Sequence, residues 1–285
     1  MKYTVTEILD YLTPLVISAG DYARNIQSRV ANQPCKEDQQ TAFGQALTDA
    51  DLSIQGFIEV ALLGRFPEIS FYGEEEASSL NMKYFKPDAE LHVLLDPVDG
   101  TLFYRDHNDG WQVIVTVCTR HEVLGALCYM PLSRKLFRAE KGRGAQVFEP
   151  EAAISRGPGT SLILNTSGKV VVTFEFPELQ GLLGSDFDVL DVKDRYDPKN
   201  PCINMSSILL GQCSGIIFKK AGLIDYGALA FFVCEAGGVL SDFAGRPLPL
   251  PELGSYPRYC FPVLCTNPVL HAKAIEGLKG WLGTT

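Results

Sequence analysis

At 285 residues the chain can form one large domain or two smaller ones that share an interface. With 46% hydrophobic and 21% charged residues, 26 Gly and 17 Pro, it has the composition of a globular protein, which excludes a disordered or fibrous one. The formal charge of -9 opposes an extended basic surface for nucleic acid or an anionic membrane. An anionic ligand would therefore need a local source of positive charge, such as a divalent cation.

In chain order, residues 1–20 carry Glu7 and Asp10 inside their most apolar part, which spoils both a signal-peptide core and a membrane span and places the chain in the cytoplasm. Ile8, Leu12, Leu15, Val16 and Ala19 fall at helical spacing and predict an amphipathic helix, bent or begun afresh at Pro14. A second helix is predicted from Leu52 to Phe66, after TDAD and before Pro67. A strand at Ile69 to Tyr72 follows, then an irregular polar connection over 78–90, then a short strand from His92 to Leu95 that stops at Asp96.

Trp111 to Val117, Val123 to Met130 and Lys135 to Arg138 read as an antiparallel meander, with Gly142 and Gly144 in the next turn. The Pro- and Gly-bearing stretch 149–160 is the predicted boundary between an α+β half, 1–150, and an α/β half, 151–285. In the second half, strands are predicted at 162–165, 170–174 and 215–218. A helix is predicted through Ser207, Leu209 and Leu210, and another over Asp225 to Ala236, ended by Gly237 and Gly238. The eight cysteines include no CxxC pair, and apolar neighbours, as around Cys118 and Cys234, predict buried free thiols.

The most informative segment is Asp96-Pro97-Val98-Asp99-Gly100-Thr101. Two carboxylates three apart at a strand mouth, with a proline stiffening the turn between them, can converge on one oxygen-ligated ion. Gly100 and Thr101 would then offer backbone N–H groups, and a helix start, to a phosphate. The plain alternative is a turn, since every residue type here is common in turns. Two more acidic clusters weigh against it: Gly73-Glu74-Glu75-Glu76 after the apolar ISFY, and Thr48-Asp49-Ala50-Asp51. Taken singly, the first reads as a solvated run and the second as a helix cap.

In this order LTDAD, GEEE, LLDPVDGT and LIDYGALAFFVCEAGG resemble the four signature blocks of the inositol monophosphatase family, and the likeness extends to the gaps and to KGRGAQVF. The resemblance implies a layered αβαβα sandwich of the inositol monophosphatase/fructose bisphosphatase type, mixing α+β and α/β character. It implies that Glu75, Asp96 and the Val98 carbonyl hold one Mg2+, that Asp96, Asp99 and Asp225 hold a second, and that Glu75 shares a third through water. Catalysis would fall to Asp51, Glu75 and Thr101 beside the attacking water. Gly100, Thr101, Asp99 and Asp225 would meet the substrate, and Glu74 would tune its metal-binding neighbour.

The implied activity is that of a Mg2+-dependent, Li+-sensitive phosphomonoesterase acting on inositol monophosphate or a similar sugar phosphate. The partners expected are a small phosphate ester and a second copy in a homodimer, with neither nucleic acid nor membrane. Departures from the family surround this set: Ile224 replaces a common Trp, Phe103 and Tyr104 replace Asn and Phe, and Phe218 stands where inositol-cleaving members have an acidic residue. Loss of that acid keeps fructose bisphosphate, histidinol phosphate and a 3'-phosphorylated nucleotide open as substrates, and also a silent metabolite binder. Lys219 and Lys220 either meet a second anionic group or are solvated lysines on a surface turn.

Overall fold

The computed structural model describes residues 2–31, 47–200, 203–219, 222–248 and 262–282. Helix α1 (Val5–Ile26) starts at a capping box, in which the Thr4 hydroxyl accepts from the Glu7 N–H and the Glu7 carboxylate accepts from the Thr4 N–H at 2.8 Å. It passes through Pro14 as one helix, so of the two expectations the fresh start at the proline is not met. Leu12, Thr13, Val16 and Ile17 are buried around the proline. At about 1.5–3 kcal/mol for each large apolar side chain buried, their packing outweighs the roughly 3 kcal/mol that an interior proline costs. Helix α2 (Asp49–Arg65) lies beside α1 and buries Ile54, Ile58 and Leu62.

The two helices cover one face of a seven-stranded sheet: β1 (Ser70–Gly73), β2 (His92–Asp99), β3 (Gln112–Cys118), β4 (Val123–Met130), β5 (Lys135–Glu140), β6 (Ala145–Phe148) and β7 (Thr160–Ser161), in sequence order. The β1–β2 pair is parallel and all the others are antiparallel, so the predicted meander is present. Alternation sorts the faces. Val93, Leu95, Val113, Val115 and Val117 join the core under α1 and α2. Leu94, Ile114, Ala126 and Cys128 face the other way. Helix α3 (Thr101–Arg105) follows β2, and α4 (Pro150–Ile154) lies in the stretch 149–160 and packs on α1.

The second sheet holds β8 (Val170–Thr173), β9 (Asp188–Asp191), β10 (Gly215–Ile217), β11 (Val239–Ser241) and β12 (Val263–Cys265), in the order β11-β12-β10-β8-β9. Between β8 and β10 come α5 (Leu179–Leu183) and α6 (Val192–Arg195). Helix α7 (Leu223–Glu235) packs on β3, β4 and β5 and also on β11 and β12, which makes it the middle layer. Helix α8 (Pro268–Leu282) and α5 cover the outer face. The layers run α, β, α, β, α, as expected.

Three local expectations are corrected. Residues 162–165 form no strand, because the pairing on β6 falls at Thr160–Ser161. The helix predicted through Ser207 to Leu210 is a single 3-10 turn, Met205–Ile208, with Leu209 as its C-cap and Gly211 following at φ 71°. Cys234 is exposed, whereas Cys118, Cys128, Cys213 and Cys265 are buried free thiols; Cys35, Cys202 and Cys260 lie outside the described residues. Among the described residues no helix is long and apolar enough to cross a membrane.

Candidate active site

Strand β2 does not stop at Asp96, as the fall in hydrophobicity predicted, but continues to Asp99. Asp96 pairs with Ile114 and Asp99 with Gln112, so three steps on β2 oppose two on β3. The extra residue is a bulge. Pro97 sits inside it, where a missing N–H costs no ladder bond, so the proline stiffens a bulge rather than a turn. Gly100 then adopts φ 88°, ψ 38°, with its Cα so close to the Gly110 carbonyl that a Cβ would collide with it. Only glycine fits, and the chain reverses directly into α3 at Thr101, so the expected helix start is present.

Asp51 is fully buried in the first turn of α2. Its Oδ2 accepts from the Thr48 backbone N–H at 2.9 Å and from the Thr48 hydroxyl at 2.6 Å. Its Oδ1 is 3.3 Å from the Thr101 hydroxyl, which is also 2.9 Å from the Val98 carbonyl. The cap and the site thus share one carboxylate, with one oxygen given to each. Tyr104, also fully buried, donates to the Ala23 carbonyl at 2.9 Å. Burial, and next the negative charge of Asp51, push its phenol well above the usual range.

Glu74 and Glu75 follow the end of β1. The Glu74 N–H donates to the Leu95 carbonyl at 3.0 Å, which ties it to the residue before Asp96. The Glu75 N–H donates to Gln55 Oε1 at 2.9 Å. Gln55 Nε2 in turn donates to Glu59 Oε1 at 3.0 Å, and Asn81 Nδ2 to Glu59 Oε2 at 2.9 Å. Gln55 and Glu59 are 2% and 1% exposed, so these bonds form a buried polar chain from α2 to the Glu75 loop. Sequence reasoning missed both residues. The signal was available: Asp51, Gln55 and Glu59 recur every four residues, a polar stripe on a helix that is otherwise apolar inward. It also missed Gln112, whose amide donates to Asp99 Oδ2 across the β2–β3 pair.

Helix α7 begins at Leu223 after the extended Gly222, two residues before the predicted start, so Asp225 is its third residue. Leu223 and Ile224 pack with Leu94 and Cys118, which brings the start of α7 beside β2. The Asp225 side chain lies outside the described residues. Phe218 and Phe103 are both buried in the core around α7, and Phe103 meets Tyr196 edge-on at 5.2 Å. Lys219 Nζ lies 3.0 Å from Glu178 and 4.4 Å above the Phe176 ring, so it is already engaged; Lys220 is outside the described residues. Gly237 ends α7 at φ 92°.

The structure therefore links Asp51, Thr101 and Val98 directly and Glu74 to the β2 backbone, and it brings the α7 start alongside. Among the described residues no three His, Cys, Asp or Glu side chains stand close enough together to hold one metal ion. The donor chemistry nonetheless fits a hard cation. Asp51, Glu75 and Asp96 are each at most 4% exposed, every candidate donor is oxygen, and such buried negative charge calls for compensation.

The family model of the inositol monophosphatase family matches residues 7–276. The Nus factor SuhB of Salmonella typhimurium is 24% identical over 241 residues, which is 81% of this chain and 85% of that protein. An inositol monophosphatase of Thermotoga maritima superposes with a TM-score of 0.70 at 18% identity, over 98% of this chain and 99% of that one. An IMPase/NADP phosphatase in complex with Mg2+ and phosphate superposes with a TM-score of 0.70 at 15% identity, over 97% of both chains. With the match covering nearly the whole length, the chain belongs to the inositol monophosphatase family and is a phosphatase of phosphate monoesters.

Proposed function

We propose that the protein is a Mg2+-dependent phosphomonoesterase that hydrolyses an inositol monophosphate or a similar sugar phosphate between its two halves, 1–150 and 151–285. The observation that carries this reading is the contact of Asp51, Thr101 and the Val98 carbonyl at the DPVDGT bulge. Glu75, Asp96 and the Val98 carbonyl would hold one Mg2+, and Asp96, Asp99 and Asp225 a second, with Glu75 sharing a third through water. When bound, Mg2+ acidifies water and offsets charge on the phosphoryl and leaving oxygens.

The hydroxyl of Thr101 has one proton and two acceptors within reach, Asp51 Oδ1 and the Val98 carbonyl. When it donates to Asp51, its lone pairs are free to accept from an incoming water, so Asp51 and Thr101 orient that water and draw off its proton. The two bonds from Thr48 hold the Asp51 carboxylate still during this transfer. The backbone N–H groups of Gly100 and Thr101, and the Asp99 side chain steadied by Gln112, would meet the substrate. Glu74 tunes Glu75 from the neighbouring position.

Support for the cation comes from the similar IMPase/NADP phosphatase, which was solved with Mg2+ and phosphate. Phe218, packed in the core around α7, offers no carboxylate to a substrate hydroxyl, which keeps fructose bisphosphate, histidinol phosphate and a 3'-phosphorylated nucleotide open as substrates. The test is phosphate release from inositol 1-phosphate, fructose 1,6-bisphosphate, histidinol phosphate and 3'-phosphoadenosine 5'-phosphate, with Mg2+ or EDTA. Release that needs Mg2+ and vanishes in Asp96→Asn is expected. Turnover that persists in EDTA, or silence across the panel from folded protein, would count against the reading.

A further inference from the structure

The turn Lys141-Gly142-Arg143-Gly144 and the glutamate of Glu235-Ala236-Gly237-Gly238 lie far apart in the chain, 93 residues from Gly142 and 91 from Gly144, but meet in the fold. Both carboxylate oxygens of Glu235 accept from the Gly142 N–H at 3.0 Å, and Oε2 also accepts from the Gly144 N–H at 3.0 Å. Gly142 and Gly144 have φ of 73° and 77°, a conformation that turns successive N–H groups toward one anion. The cations of this turn are committed elsewhere: Lys141 pairs with Glu122, and Arg143 with Glu140 at 3.1 Å. Peptide N–H groups, not charge, hold the carboxylate.

Glu235 is the last residue of α7, where the helix dipole opposes a negative side chain. A carboxylate there needs compensation, and the glycine turn of the first sheet supplies it. At the other end, Leu223 and Ile224 seat α7 on Leu94 and Cys118 through apolar contact, which is non-directional. The three bonds at Glu235 are directional and fix where α7 stands along the first sheet. Asp225 precedes Glu235 by ten residues, about 15 Å along the axis, and one residue of slip would carry its backbone about 1.5 Å.

We propose that Glu235 is a positioning residue: by docking on the Gly142–Gly144 turn it sets the axial register of α7, and so the placement of Asp225 for the divalent cation. The proposal rests on the reading of Asp225 as a cation ligand. The test is Mn2+ binding to the full chain, followed by the loss of the free-ion paramagnetic resonance signal, in wild type, Glu235→Ala, Asp225→Asn and the double variant, with KM measured at saturating Mg2+ and thermal melting alongside.

Glu235→Ala is expected to weaken Mn2+ binding about tenfold, the lower end of the effect of residues that orient a ligand, while KM changes less than about twofold. Glu235→Gln, which keeps the shape and one acceptor oxygen, should recover part of the loss, and it carries the comparison if the alanine variant does not fold. The double variant should bind no more weakly than Asp225→Asn, since both act through one group. Unchanged Mn2+ affinity in Glu235→Ala with only a lower melting temperature, or losses that add in the double variant, would overturn the proposal alone. Wild-type affinity in Asp225→Asn would overturn the reading of Asp225 and the proposal together.

Discussion

The two sides of the candidate site are held in different ways. On the first-sheet side each carboxylate segment is fixed by polar contacts close to it: the bulge and left-handed Gly100 at Asp96 to Thr101, the Thr48 cap on Asp51, and Gln55 under the Glu75 loop. On the side of α7 the surroundings are apolar, with Ile224, Phe218 and Phe103 all buried, and the polar tether lies a helix length away at Glu235. Chemistry that needs sub-ångström placement is built on the first side, where directional bonds supply it. The second side can vary its residues without disturbing that frame: the departures Ile224 and Phe218 fall there, whereas Phe103 and Tyr104 stand on α3 next to the frame itself.

The sharpest way to break this contrast is Gly100→Ala. The new Cβ would meet the Gly110 carbonyl at a φ of 88°, and neither strand can yield without opening the bulge. Left-handed strain and the backbone clash together should cost about 3 kcal/mol or more. A melting curve shifted down by several degrees is expected, with phosphate release reduced at least about 100-fold even well below the melting point. Near-normal turnover would show that the corner is not held by this glycine.

Gln55→Leu should have the next largest effect. It leaves the Glu75 N–H without its acceptor and Glu59 buried with only Asn81, a loss of roughly 2–3 kcal/mol by the cost of unsatisfied buried polar groups. Activity should fall with it through a raised Mg2+ requirement, and added Mg2+ should restore part of it. Denaturant unfolding and a Mg2+ titration check the two halves of this expectation.

A smaller effect lies at the seam between the two sides. His92 is fully buried on β2 beside Tyr72, opposite Cys118 in register, and among the described residues neither ring nitrogen has a hydrogen-bond partner. Burial, and next the charge of Arg120, lower its pKa, with Asp88 opposing weakly; burial also lowers that of His271, whose Nε2 meets Ser241 Oγ at 2.7 Å. The unfolded chain therefore takes up protons first. Stability is full above about pH 6.5 and falls as pH drops below it, by up to about 1.4 kcal/mol per unit for each histidine. His92→Phe should flatten the melting temperature between pH 6.5 and 5, leaving the share of His271; an unchanged slope would place the effect elsewhere.

What could be read from the sequence follows the same division. The helix over 49–65, the meander and the DPVDGT corner rest on local patterns, and the structure agrees with them to within a few residues. Hydrophobicity placed the end of β2 at Asp96 because a buried acid looks like a strand end. The ladder runs on because β3 supplies its partners through a bulge, which no local pattern announces. The stripe Asp51, Gln55, Glu59 was written in the sequence at helical spacing, yet its meaning depends on the distant Glu75 loop. Gln112 and Glu235 were legible as residues but not as partners, since each acts across the fold through a contact far away in the chain.

The smallest expected effect tests the apolar side. Lys219 invited assignment to a second anionic group of the substrate, but its ammonium lies 3.0 Å from Glu178 and 4.4 Å from the Phe176 ring centroid, facing the outer core of the second sheet. An exposed pair of this kind contributes about 0–1 kcal/mol, and a cation over a ring about 0.5–1 kcal/mol. Lys219→Glu would set two carboxylates side by side, so stability should fall by about 1 kcal/mol while kcat and KM for a phosphate monoester stay within about twofold. A KM that rises more than tenfold for a bisphosphate and not for a monophosphate would instead assign Lys219 to the substrate, and would show that the apolar side carries specificity through charge after all.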